Sequence, residues 1–183
     1  MSIVTVAQFK IYAKLGDSDT GGELQYQEFL DAAEAIVAEY LGYAPAAASL
    51  TQTYFGDGKP YINLRAPVNG SVTSITIDGV AQTVGDWLVD FERITNKYGN
   101  PLGVGSLAVV AYSGGFATIP ALITLVIKRI ATLMSMETGE RIGVSSQSFD
   151  GGNTRSFINY TNYAKYLASL ASLRVDRIER KAP

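Results

Sequence analysis

Asp17 to Glu28, DSDTGGELQYQE, carries the only run of side chains in this sequence whose types and spacing match a cation site. Laid on a twelve-residue calcium loop, Asp17 and Asp19 take two ligand positions, Gly22 the turn, Leu24 the apolar position and Glu28 the closing carboxylate. Gly21 removes one side-chain ligand, and no second loop of this kind exists to pair with it. An acidic turn ahead of a helix explains the same residues, because carboxylates favour a helix N-terminus. Gly103 to Ala108, GVGSLA, has the letters of a dinucleotide fingerprint but runs into the strand-like SLAVVAYSG, where that motif must open a helix. Two carboxylate pairs, Asp86 with Asp90 and Glu137 with Glu140, have the composition for acid and base work, but no pattern places either in a cleft, and both read as solvated surface. The serines of SSQSFDGGNTRS have no partner base within an S-x-x-K spacing.

The chain has no Cys and no His, which removes thiolate nucleophiles, cysteine zinc sites, disulfides and the commonest general base. No catalytic set and no cofactor site is expected. The formal net charge of -2 provides no broad attraction for DNA or an anionic membrane. The N-terminus, MSIVTVAQFK, lacks the basic start and apolar run of a signal peptide, and so reads as cytoplasmic synthesis. The most apolar run, Ile119 to Ile127, is interrupted by Lys128 and Arg129 and is too short for a membrane span.

Helical spacing appears at both ends of the chain. Thr5 stands as an N-cap before a short helix with Val6, Phe9, Tyr12 and Ala13 on one side. ELQYQEFLDAAEAIVAEYLG then places Tyr26, Phe29, Leu30, Ala33, Val37, Tyr40 and Leu41 on a stripe, with Gly42 as its stop. The polar positions of this second helix, Glu23, Glu28, Asp31, Glu34 and Glu39, form a face of one sign. From Thr51 to Tyr112 the residues turn to Thr, Val, Ile and Tyr with frequent turn signals, which predicts a small antiparallel β region. It contains a hairpin about Asp57–Gly58, another about Asp78–Gly79, and strands at WLVDF and SLAVVAYSG separated by the loop NKYGNPLG.

Pro120 opens a third helix to about Met136, apolar on more than one side, so that it needs cover on two faces. After the polar stretch Ser145 to Ser156, Tyr163, Tyr166, Leu167, Leu170 and Leu173 mark a fourth helix. RVDRIERKAP has too little apolar surface to fold alone and reads as a tail ordered by a partner. The expectation is an α+β protein: a helical pair at 1–48, an inserted antiparallel β region at 49–114, a second helical pair at 115–173 and an extended tail at 174–183.

In this order the elements resemble the head–tail adaptor, or connector, proteins of tailed bacteriophages, in the longer type with a β insertion. The resemblance rests on the acidic turn before EFLDAAEAIVAEYLGY, on VVAYSGGFATIPALITLVIKRIATLM, and on SSQSFDGGNTRSFINY leading to the last helix and tail. It implies a structural virion protein made in the host cytoplasm, forming a ring of about twelve copies beneath the portal. The ring would extend the DNA channel and dock a stopper or tail-completion protein, with duplex DNA passing through without sequence-specific binding and no membrane contact. The tail residues Arg174, Arg177, Ile178, Arg180 and Lys181 would reach the portal. Ser145, Ser146, Gln147, Ser148, Phe149, Asp150, Asn153 and Arg155 would face a partner or the channel, ordering on contact. Leu122, Leu125, Val126 and Ile130 would pack against a neighbouring copy. An acidic helix beside the conduit would repel phosphate and let the duplex slide. The alternatives are another neck or tail-completion protein, or a calcium-dependent binding module built on Asp17 to Glu28.

Overall fold

The structure is a computed structural model describing residues 2–15, 22–137, 146–148, 154–156 and 162–175. It is an α+β fold divided into two compact units, one built from the chain's first 40 residues with Pro120–Leu173, the other from Leu41–Ile119 with Arg174 and Val175.

The first unit is helical. Helix α1, Val6–Ala13, begins at a capping box: Thr5 Oγ1 accepts from Gln8 N at 3.3 Å while Gln8 Oε1 accepts from Thr5 N at 3.2 Å. It ends at Lys14, whose left-handed φ of 56° returns the cap N–H to Ile11 and Lys10. Helix α2, Glu23–Leu41, buries Leu30, Ala33, Val37 and Leu41 along the expected stripe. Its Glu34 reaches across to the start of the chain, where Oε1 accepts from Ser2 Oγ at 2.8 Å, Ile3 N at 2.6 Å and Val4 N at 3.2 Å. Three donors on one carboxylate oxygen satisfy N–H groups ahead of α1. Lys10 lays its stem in the core and brings Nζ to within 2.9 Å of Glu23 Oε1.

Helix α3, Ala121–Glu137, buries Ile123, Val126, Ile127, Ile130, Ala131 and Leu133. Helix α4 is shorter than its apolar spacing predicts, covering Asn162–Ala168 and giving way to a 3₁₀ turn at Ala171–Leu173. The Ser169 hydroxyl and amide both donate to the Tyr166 carbonyl, at 2.6 and 3.2 Å, and Leu170 N bonds Leu167 O at 2.8 Å. Those bonds span three residues instead of four and tighten the helix end, while Leu170 still reaches the core.

The second unit holds two antiparallel sheets. Strands β1 (Ala48–Phe55), β3 (Val68–Ile77), β4 (Val80–Gln82) and β7 (Leu107–Gly114) form one in the order β1-β7-β3-β4. Strands β2 (Tyr61–Asn63), β5 (Trp87–Asp90) and β6 (Arg93–Asn96) form the other in the order β2-β6-β5. The hairpin about Asp78–Gly79 is present: Ile77 pairs with Val80, and both turn residues have positive φ, 50° and 81°.

The hairpin about Asp57–Gly58 is absent, because β1 pairs with β7 along its whole length and β2 pairs with β6. The turn-forming stretch is tied elsewhere. Gly56 N bonds Ser106 O at 2.8 Å, Gly58 N bonds Leu102 O at 3.1 Å, and Pro60 has no N–H to offer a ladder. Strand β6 is an addition to the sequence reading. Ile94 is buried at its centre between β2 and β5, but four residues carry too little alternation to register as a strand.

In the backbone of the polar stretch, β8 (Ser146–Ser148) pairs antiparallel with β9 (Thr154–Ser156), so part of the expected loop is a two-stranded ribbon.

Candidate interaction surfaces

Gln52, on β1, is buried and bridges the strand to the end of β2 and the segment after it: Nε2 donates to Asn63 O at 2.9 Å and Oε1 accepts from Arg65 N at 2.8 Å. Tyr112 on β7 is also buried, its hydroxyl accepting from Ala66 N at 3.3 Å. Burial pushes the Tyr112 phenol up; at Tyr43 burial, with the Glu92 carboxylate adding to it, raises the phenol to about 12. These groups hold the β unit together and leave its other polar residues on the surface.

On that surface Tyr61 lies beneath two cations, Arg93 at 4.4 Å and Lys59 at 5.5 Å from the ring centroid. Arg93 Nε also donates to Asn63 Oδ1 at 3.0 Å, and Lys59 pairs with Asp57 at 3.3 Å. Desolvation alone would raise Asp57, but hydrogen bonds from Tyr54 and Lys59 hold it below the usual carboxylate range. At one end of the larger sheet the cross-strand neighbours Phe55 and Leu107 are exposed, as is Val80 at the start of β4.

In the helical unit, α1, α3 and α4 leave an open groove of about 460 Å³. Tyr12 contributes from α1, Arg129, Thr132, Leu133 and Met136 from α3, and Lys165 and Tyr166 from α4. Arg129 stacks over Tyr166 with 5.3 Å to the centroid, and Lys128 sits 5.9 Å from the Tyr12 centroid. The cations that interrupt the apolar run after Ile127 therefore line or flank this groove. The sequence contained that signal as Lys128-Arg129, but nothing in it showed which tyrosines they would meet.

The residues expected to meet partners fall on different elements. Arg174 is exposed and Val175 is buried with its N–H bonded to Leu41 O at 3.3 Å, so the chain is anchored at residue 175. Arg177, Ile178, Arg180 and Lys181 lie outside the described residues. Ser146, Gln147 and Ser148 stand on β8 and Arg155 on β9, with Gln147 directly opposite Arg155. Ser145, Phe149, Asp150 and Asn153 lie outside the described residues. On α3, Val126 and Ile130 are fully buried by this chain's own atoms, which leaves Leu122, at 37% exposure, and the half-buried Leu125 to face a neighbour.

The twelve-residue calcium geometry meets an obstacle at Glu23. That residue occupies the position whose backbone carbonyl must ligate the ion, yet it opens α2, where carbonyls turn to the N–H four residues on. Its carboxylate is bound to Lys10, and Asp17 and Asp19 lie outside the described residues. Among the described residues no cluster of three or more carboxylates could hold a metal. Asp86 accepts from the Tyr98 hydroxyl at 3.3 Å and Asp90 caps Phe91 N at 2.7 Å, while Gly103 to Ser106 is a loop feeding β7. Among the described residues no helix is long and apolar enough to cross a membrane.

No protein-family model and no curated protein matches the chain. Solved structures do share its fold. A chain from the neck of an empty gene transfer agent particle, computed with C6 symmetry, aligns with a TM-score of 0.63 and 18% identity, covering 98% of this chain and 93% of that one. A chain from the virion of a native gene transfer agent particle aligns with a TM-score of 0.61 and 16% identity, covering 100% of this chain and 98% of that one.

Proposed function

We propose that this chain is a structural protein of a tailed, phage-like particle: a head–tail adaptor whose copies form a ring under the portal. The observation that carries this is the end-to-end match of fold with a neck chain, which covers 98% of this chain and 93% of that one. Identity of 18% makes that a likeness of fold, and the adaptor role is drawn from it together with the order of elements along the chain. The sixfold symmetry of that neck divides twelve, which agrees with a ring of twelve copies.

In this role the chain is not an enzyme. It extends the DNA channel, lets the duplex pass without reading its sequence, and presents one rim to the portal and the other to a stopper or tail-completion protein. The basic-acidic segment following Val175, with Arg177, Ile178, Arg180 and Lys181, is the portal contact. The ribbon of β8 and β9, with Gln147 and Arg155 paired at its centre, is the second partner-facing element.

Light scattering and negative-stain imaging of the purified protein, alone and with portal rings, test the proposal. Closed rings with a central hole wide enough for duplex DNA are expected in at least the second condition. A chain that stays monomeric and unattached in the presence of portal rings would overturn it.

A further inference from the structure

Among the described residues, the groove in the helical unit is lined by two cations and no carboxylate. Arg129 and Lys165 share the lining with Met136, an apolar side chain that is 58% exposed. Such a groove suits a partner that brings carboxylates and an aliphatic side chain together.

The same chain presents that chemistry on α2. Residues 24, 28, 31, 35 and 39 fall on one face at 3.6 residues per turn, and Leu24, Glu28, Asp31, Ala35 and Glu39 are all exposed. Leu24 is 85% exposed, a large apolar side chain with no cover in its own unit. No Lys or Arg interrupts α2, so the face is acidic throughout. It shares no residue with the groove lining, so one copy can use both surfaces at once.

We propose that the groove receives the Leu24, Glu28 and Asp31 face of α2 from a second copy of this chain. Leu24 packs against Met136, and the two carboxylates meet Arg129 and Lys165. Different surfaces of the two copies meet, so the contact is head-to-tail and repeats into a ring or an open chain. DNA phosphate would also meet the cations, but it has nothing to cover Met136, and the net charge of -2 opposes it. The choice of a second copy as occupant rests on the ring proposed above.

The absence of native cysteine permits a direct test in the full chain. Leu24→Cys and Met136→Cys variants are mixed and oxidised, and mixed and like-with-like dimers are quantified. The mixed dimer should exceed its statistical share severalfold. Arg129→Glu with Lys165→Glu in the Met136→Cys chain should lower it about tenfold, equivalent to ~1.4 kcal/mol. Adding Glu28→Lys and Asp31→Lys to the Leu24→Cys chain should restore it. All four charged positions are exposed, so far-UV circular dichroism should match the parent chain.

A statistical mixture, or a mixed dimer indifferent to charge reversal, overturns the proposal. Closed rings of the unmodified chain with no mixed dimer would leave the ring standing and remove this contact. Mixed dimers from a chain that forms only open oligomers would keep the contact and remove the ring. Binding of a short DNA duplex by the groove cations, with no mixed dimer, would reassign the groove to phosphate.

Discussion

Gln52 shows how a single polar side chain decides whether this β unit closes. It satisfies the carbonyl of Asn63, the last residue of strand β2, and the amide of Arg65 just beyond it. Truncation leaves both backbone groups without a partner in a place water reaches poorly. Gln52→Ala should therefore cost about 2 kcal/mol or more in urea unfolding. Thr53→Ala, one residue along on the exposed side, should stay within about 0.5 kcal/mol. The tyrosines set the alkaline limit. Tyr43 is raised from 10.0 to about 12, so the folded state holds the phenolic proton more tightly than the unfolded chain does. Stability from this group is complete below pH 10 and is lost as the pH rises from 10 through about 12. Tyr43→Phe should flatten that part of a denaturation-versus-pH curve; an unchanged curve would put the alkaline loss on Tyr112 and Tyr54, which are raised in the same direction.

Among the elements, the turns contrast two uses of glycine. Gly79 has a φ of 81° in the β3–β4 turn with open space where a Cβ would stand. Gly115 follows β7 with a φ of 92°, and a Cβ there would lie 2.6 Å from the Ala46 carbonyl oxygen. Gly79→Ala pays only for the left-handed backbone and should cost about 1 kcal/mol. Gly115→Ala adds a backbone clash beside the bonds from Gly115 N to Pro67 O and Phe116 N to Pro45 O, and should cost about 3 kcal/mol or more. Thermal unfolding of the pair checks the order. Asp78–Gly79 was legible because a two-residue turn contains its own instructions. Asp57–Gly58 misleads because Gly58 is tied to Leu102 and the neighbouring Gly56 to Ser106, more than 40 residues further along the chain, partners that no local pattern names.

For the whole molecule, the burial of Val175 determines where a functional truncation must be cut. Val175 is buried and bonded to Leu41, so removal of everything from Arg174 onward takes part of the body with it. Removal of residues 176–183 should leave the thermal unfolding curve unchanged and abolish attachment to portal rings. Normal attachment by that truncated chain would count against a portal contact in this segment.

The sequence by itself determined the α+β class, the positions of α1, α2 and α3, the capping of α1 by Thr5 and the Asp78–Gly79 hairpin. Each of these depends on contacts within a few residues or on a periodic apolar stripe. The order of its elements also resembles that of phage connector proteins, and the chain shares its fold with a chain from a gene transfer agent neck. Only the tertiary structure decided that β1 pairs with β7, that Val126 and Ile130 are covered by their own chain, and that Lys128 and Arg129 meet Tyr12 and Tyr166 beside one groove. Those outcomes join residues dozens of positions apart, and the free energy that selects among such pairings comes from burial and backbone satisfaction across the whole unit.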